Sequence, residues 1–328
     1  MRAAYCERIG ETLLVGDLPD TPLLTGQVRV DTHASGLNFA DLLLLRGTYQ
    51  EKPQSFPFVP GLEAAGVVVE VCPTVSGVRP GDRVMVGMQF GGYADQAVVD
   101  ASSVHPIPDT MGFIEAAALG IAYGTAIGAL KWRARLDARE TVLVLGASGG
   151  AGLAAVQVAK ASGAKVVAAA STQARADFAV SHGGADLGLT YSHPDWRRAI
   201  RESLGVEGVD VVFDPVGGEF TQLAIRCCQA EARYIVIGFA CGELPEIRPN
   251  IFLVKNLDLI GFYRGYYRSR FPSRVADGFS EIFAWHCEGK IRAHVDRVFP
   301  LAEANDALNA ITQRHAMGKV VLQTRKEE

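Results

Sequence analysis

The segment TVLVLGASGGAGLAAVQVAKASGAKVVAAAST, residues 141–172, carries the pattern that decides the fold. It begins with a short valine- and leucine-rich run, residues 141–145, that ends at a glycine, the texture of a parallel strand buried on both faces. Gly146, Gly149 and Gly152 follow at a spacing of three. That spacing lets the chain turn tightly and bring backbone N–H groups against a pyrophosphate at a helix N-terminus. Residues 153–161 read as the helix, Gly163 stops it, and residues 165–170 form a second apolar strand. A glycine loop alone is often no more than a packing turn. Inside a complete strand, helix, strand unit it predicts dinucleotide binding.

An NAD site would place an Asp or Glu about 20 residues past the glycines, at the end of the second strand, to accept from the ribose hydroxyls. Here that end reads Ala169, Ala170, Ser171, Thr172. No carboxylate stands there to repel a 2′-phosphate, and Ser171 can donate a hydrogen bond to one. Arg175, at the start of the next helix, can pair with the same phosphate. The cofactor expected from these residues is NADPH.

A chain of 328 residues with 48% hydrophobic content and 35 glycines has room for two compact domains and a large core. Its apolar runs are too short to span a membrane, and the opening MRAAYCERIGE lacks a signal-peptide core, so a cytoplasmic location is expected. A net charge of −4 argues against general attraction to nucleic acid or acidic membranes. The cysteines, Cys6, Cys72, Cys227, Cys228, Cys241 and Cys287, contain no C-x-x-C pair, which favours free buried thiols over disulfides or a zinc knuckle.

Before residue 115 the pattern is short strands with turn punctuation, at residues 27–32, 65–71, 83–87 and 92–99. From Ile114 helical stretches alternate with apolar strands around Val142, Val166, Leu187, Val209, Arg233 and Leu257, the rhythm of an open parallel sheet covered on both faces. After Gly261 that rhythm ends. A helix at 276–288, a strand at 295–300, a helix at 302–313 and a strand at 319–323 are expected to return and complete the first domain. Between them GFYRGYYRSRFPSR, residues 261–274, reads as a strand followed by a solvated loop, with Arg264 a candidate for the substrate wall.

With these elements placed, the chain resembles the medium-chain dehydrogenase/reductase superfamily, and within it the zinc-free, zeta-crystallin-like quinone oxidoreductases. The resemblance runs over essentially the whole length. It rests on GLNFADLLLLRGTY (36–49), PGLEAAGVV (60–68), RPGDRV (79–84), GGYAD (91–95), AYGTA (122–126), GASGGAG (146–152), DPVGG (214–218) and MGKVVL (317–322). It implies an α/β protein: a Rossmann doubly wound parallel sheet binding NADPH at residues 121–263, and an irregular GroES-like β-barrel catalytic domain from residues 1–120 and 264–328. It also implies a homodimer that pairs through the strand at residues 256–262. The zinc-dependent branch holds its metal with ligands at three places in this pattern, and here the first two are Asn38 and Leu62 while residues 116–121 offer none. Catalytic zinc needs three protein ligands, so no metal is expected. The four-cysteine lobe that binds structural zinc is also missing.

Without a Lewis acid, reduction of an already activated acceptor is the expected chemistry: hydride from NADPH to a quinone or an α,β-unsaturated carbonyl. A same-class alternative is an enoyl-CoA or other enoyl thioester reductase. One of another class is a cofactor-binding structural or RNA-binding protein of the crystallin kind. The resemblance implies Asn38 and Tyr49 at the reacting centre, with Asn38 near the nicotinamide ribose and Tyr49, together with Arg264, near the acceptor. Gly149, Gly150, Ala151 and Gly152 are expected at the pyrophosphate, and Ser171, Arg175 and Tyr191 at the 2′-phosphate. Thr125, Val216, Phe239 and Arg314 are expected toward the nicotinamide end. The sequence names no general acid.

Overall fold

The structure is a computed structural model and describes residues 1–325. The chain divides into two compact units. Among the described residues, the first comprises 1–121, 268–287 and 292–325, and the second 122–267 and 288–291. Residues 264–267 and 288–291, which the sequence assigns to the first domain, therefore group with the second.

The chain opens with β1 (Arg2–Tyr5), β2 (Leu14–Asp17), β3 (Gln27–Gly36), β4 (Glu63–Val71), β5 (Arg83–Gly87), β6 (Gln96–Asp100) and β7 (Val104–Pro106). Helices α1 (Phe39–Leu45) and α2 (Phe113–Ala117) accompany them. The second unit runs through α3 (Ala122–Ile127), β8 (Thr141–Leu145), α4 (Gly150–Ala161), β9 (Lys165–Ala170), α5 (Gln173–Gly183), β10 (Leu187–Thr190) and α6 (Trp196–Leu204). It continues with β11 (Val209–Asp214), α7 (Phe220–Cys227), β12 (Cys228–Val236), α8 (Pro249–Lys255) and β13 (Asp258–Gly261). After α9 (Arg264–Arg270) the chain adds α10 (Pro272–Cys287), β14 (Val295–Pro300), α11 (Ala304–Thr312) and β15 (Lys319–Gln323) to the first unit.

In the second unit the six strands are all parallel, in the order β10-β9-β8-β11-β12-β13. Every residue of β8 is buried, as its run of valine and leucine requires for a central strand covered on both faces. The chain lays β9 and β10 on one side of β8 and then returns to lay β11, β12 and β13 on the other. The order thus reverses between β8 and β11, and the crevice at their carboxyl ends is where doubly wound sheets bind ligands. Helix α4 starts at Gly150, three residues earlier than the apolar pattern alone marks.

In the first unit β3 is the organising strand. β4 pairs with it from Val28 to Ala34, while on the other edge β6 pairs with Gln27 to Asp31 and β15 with Ala34 to Gly36. Two strands thus share one edge of β3, a corner that bends the sheet into an irregular barrel. The barrel continues β14-β15-β3-β4-β5-β7 and encloses Val28, Val30, Ala64, Val68, Val84 and Val86. The arginine-rich stretch after β13 departs from expectation: residues 264–270 form α9, so Arg264 opens a helix instead of lying in a loop. All six cysteines are free, as expected, but only Cys6, Cys227 and Cys228 are buried. No described helix is long and apolar enough to cross a membrane.

Candidate active site

Within the second unit, the loop after β8 is shaped by backbone contacts that exclude side chains. A Cβ on Gly152 would overlap the Gly146 carbonyl oxygen, so the first turn of α4 can close over the loop only with glycine there. Gly146 itself takes φ +60°, a left-handed conformation. Gly149 caps α4 in an extended conformation, and Gly150, Ala151 and Gly152 form the helix's first turn. Gly149 N–H is bonded to the Gly146 carbonyl at 2.9 Å, and the N–H groups of Gly150, Ala151 and Gly152 open the twelve-residue helix, an arrangement that could hold a pyrophosphate.

Across the switch point, the loop after β11 closes on this turn. Val216 stands where a Cβ on Gly146 would meet its Cγ2 at 3.0 Å. The loop is held by the buried Asp214 carboxylate. Its Oδ1 accepts from the N–H groups of Val216 and Gly217, both at 2.8 Å, and its Oδ2 accepts from Tyr234 (2.6 Å) and Thr221 (3.0 Å). Desolvation and the neighbouring carboxylate keep the Tyr234 phenol far above its ordinary range, so it remains a donor. The segment after β12 joins them: Ala240 and Cys241 donate to Pro215 and Val216 carbonyls at 3.0 Å, and the Phe239 ring lies against Gly217.

The β9 end carries Ser171 and Arg175, which the sequence singles out for a 2′-phosphate. Ser171 is exposed, and Arg175 sits in the first turn of α5, whose N-cap is Thr172. Arg175 Nη1 donates to Ser148 Oγ of the glycine loop at 3.2 Å, bringing the guanidinium to the loop's side. Tyr191, just after β10, also reaches the loop. Its hydroxyl accepts from Gly146 N–H at 2.8 Å and its ring stacks on Phe220 at 4.1 Å. Burial raises the Tyr191 phenol, so the hydroxyl keeps its own hydrogen to donate. Thr125 is buried in α3, which is fixed to α4 by the Tyr123 hydroxyl donating to Gln157 at 2.8 Å. Arg264, at the start of α9, lies in this unit too.

Asn38, Tyr49 and Arg314 lie in the first unit. Asn38 precedes α1; Tyr49 is half-buried just beyond the same helix, its N–H bonded to the Leu43 carbonyl. Arg314 is exposed with φ +55° after α11. The structure adds partners for Asn38 that sequence reasoning missed. The buried Lys319 ammonium donates to Leu37 O, Asn38 Oδ1 and Glu63 Oε1, each at 2.7 Å. Asn38 Nδ2 donates to Glu63 Oε1 at 2.8 Å, and Glu63 Oε2 accepts from Ile121 N–H at 2.7 Å. Glu63 heads β4 and Lys319 heads β15, on opposite sides of β3. They meet because Gly36 has no side chain: its Cβ would lie 2.5 Å from Glu63 Oε1. The signal was a charge heading each of two apolar runs, Glu63 before AAGVVV and Lys319 before VVL.

The network extends to a buried acid. Asp41 Oδ2 accepts from Asn38 N–H at 2.7 Å and from the Tyr93 hydroxyl at 2.9 Å, while Oδ1 has no hydrogen-bond partner among the described residues. Desolvation lifts the Asp41 carboxyl to about 7, against the lowering pull of Asn38, Tyr93 and Lys319.

A glycine turn at the switch point of one unit and a bent barrel in the other are found together in known proteins. A family model described as "Alcohol dehydrogenase GroES-like domain" matches residues 25–109, and one described as "Zinc-binding dehydrogenase" matches residues 150–281. Quinone oxidoreductase-like protein 2 of Bos taurus is 39% identical over 98% of this chain and 92% of that protein. The chain belongs to the medium-chain dehydrogenase/reductase superfamily. Quinone oxidoreductase of Rattus norvegicus is 33% identical over 90% of the chain and 88% of that protein. The solved quinone oxidoreductase of Thermus thermophilus, studied also in complex with NADPH, superposes with a TM-score of 0.85 at 32% identity, covering 98% of this chain and 100% of its own. As a member of this superfamily with a Rossmann sheet and a GroES-like barrel, the protein is an oxidoreductase.

Proposed function

We propose that the protein is a zinc-independent NADPH-dependent reductase that transfers hydride to a quinone or an α,β-unsaturated carbonyl acceptor. The observation that carries the choice of cofactor is Arg175. Its guanidinium rests on Ser148 of the glycine loop, beside the exposed Ser171, at a strand end that carries no carboxylate. That donor set fits a 2′-phosphate. The cradle left by Gly152 and the N-terminus of α4 fit the pyrophosphate. Bound there, NADPH would supply the hydride.

The chain's own residues would bind and orient. Gly149, Gly150, Ala151 and Gly152 hold the diphosphate, and Ser171, Arg175 and Tyr191 hold the adenosine end. Thr125, Val216, Phe239 and Arg314 serve the nicotinamide end, with Asn38 at its ribose, while Tyr49 and Arg264 meet the acceptor. Zinc independence is supported by Asn38 itself, because an ammonium 2.7 Å from its Oδ1 opposes a divalent cation at that amide.

The same reading includes a homodimer. The strand β13 ends the sheet beside β12 and bears Leu259 at 49% exposure, and the preceding α8 exposes Leu253 (79%) and Val254 (77%). An unpaired strand edge beside exposed aliphatics suits sheet extension by a second copy. The deciding experiment is NADPH oxidation with 1,4-benzoquinone, 9,10-phenanthrenequinone, an enone and an enoyl-CoA ester, repeated with NADH. Turnover with NADPH and a quinone or enone is expected. Turnover with the enoyl-CoA ester alone would move the acceptor to thioesters. No turnover with any acceptor would overturn the proposal.

A further inference from the structure

The hydrogen bonds around Asn38 fix which way its amide faces. Lys319 Nζ can only donate, so the atom 2.7 Å away is the amide oxygen; the Glu63 carboxylate can only accept, so the atom 2.8 Å away is the nitrogen. A flipped amide would set NH2 against the ammonium and oxygen against the carboxylate. The second Nδ2 hydrogen lies toward the Gly36 carbonyl at 3.3 Å. At the start of α1, Asp41 N–H donates to the Asn38 carbonyl at 3.0 Å, and Asn38 N–H donates to the Asp41 carboxylate at 2.7 Å. Both amide hydrogens are thus engaged, and Oδ1 keeps one lone pair. Asn38 is half-buried while Glu63 and Lys319 are buried, so the amide is the accessible end of the network.

Resting on the reading that Asn38 meets the nicotinamide ribose of NADPH, we propose that Lys319 and Glu63 are positioning residues that hold the Asn38 amide as an acceptor only. It then takes a hydrogen bond from a ribose hydroxyl and has none to give to the oxygen of a quinone or enone. Donation to that oxygen falls to other groups, of which Tyr49 is the candidate in the same unit. Electrostatics makes the hold strong: both ions are removed from water, and each is bonded to the other and to the amide between them.

Two measurements test this without turnover. In the wild-type protein labelled with 15N-asparagine and free of cofactor, the Asn38 side-chain protons should exchange with solvent at least tenfold more slowly than those of an exposed asparagine. Exchange at the free-amide rate would overturn the proposal. The second measurement compares the Kd of NADPH with that of an analogue lacking the nicotinamide-ribose 2′-hydroxyl. Wild type should lose about tenfold on removal of the hydroxyl, the worth of one well-placed hydrogen bond. The double variant Glu63→Gln/Lys319→Met, which leaves no unpaired buried charge, should lose less than twofold. Equal losses in the two proteins would overturn the positioning role, and no loss in a wild type that binds NADPH tightly would overturn the acceptor assignment. Failure of the wild type to bind NADPH at all would instead remove the reading on which the inference rests, and the inference with it.

Discussion

The two units hold their functional groups by different means. In the second, the main chain does most of the work: glycines permit a turn that side chains would block, and a helix end and the Asp214 bonds to Val216 and Gly217 set the neighbouring loops. In the first, buried side chains do it: Lys319, Glu63 and Asp41 surround Asn38 from three separate elements. A main-chain device depends on local spacing and leaves a pattern in the sequence. A side-chain ion pair depends on tertiary approach, and here its members are 256 residues apart.

The sharpest way to break the comparison is to remove one ion. Lys319→Met leaves Glu63, which is wholly buried, without its counter-charge. Loss of one partner of such a pair costs about 3–5 kcal/mol, and the double variant Glu63→Gln/Lys319→Met should recover most of it. Urea unfolding of the three proteins measures both effects. A loss below about 1 kcal/mol for Lys319→Met, the scale of an exposed pair, would show that the ions are solvated and that the first unit is not organised by buried charge.

A somewhat smaller effect is expected from pH. The Asp41 carboxyl titrates near 3.9 in the unfolded chain and at about 7 in the folded one. A raised folded value favours the protonated folded state, so this stabilisation is complete below pH 4 and is lost as pH rises through 7. Between pH 5 and 7 the loss is about 2 kcal/mol. Lys319 and Glu63 also act on this carboxyl, in opposite directions. In Asp41→Asn the group cannot titrate, and the urea midpoint should vary less over the same window. Parallel midpoint curves for variant and wild type would mean that Asp41 is not the group responsible.

The sequence was most informative where structure is local. The strand pattern located β8, β9, β14 and β15 at their observed limits, because runs such as VLVL and KVVL alternate or persist only as strands do. The glycine spacing located the turn after β8 because Gly152 has no substitute there. Residues 264–270 read as loop because glycine and aromatics weaken a helical pattern that tertiary packing then restores, with Tyr267 stacked on Phe262 at 5.2 Å. The resemblance to a motif singles out Asn38, but not the reason its amide faces one way. That reason lies on β4 and β15, which the motif does not contain.

The smallest expected effect bears on the second unit. Arg175→Ala removes a side chain that bonds the loop at Ser148, but the turn is shaped by the backbone approach of Gly152 to Gly146, so it should persist and NADH binding should change little. The 2′-phosphate would lose one charge-assisted partner but keep Ser171 and the Tyr191 hydroxyl, so NADPH affinity should fall about tenfold, or about 1.4 kcal/mol, just below the roughly 1.5–3 kcal/mol of a bond to a charged group because the site is half-exposed. The ratio of the two Kd values is the quantity to measure, since a general disturbance of the loop would weaken both cofactors alike. Tenfold loss confined to NADPH means that this unit separates its tasks, with the glycine turn binding what NADH and NADPH share and one guanidinium selecting between them. Equal loss would mean that Arg175 supports the loop through Ser148, and the contrast with the side-chain architecture of the first unit would narrow.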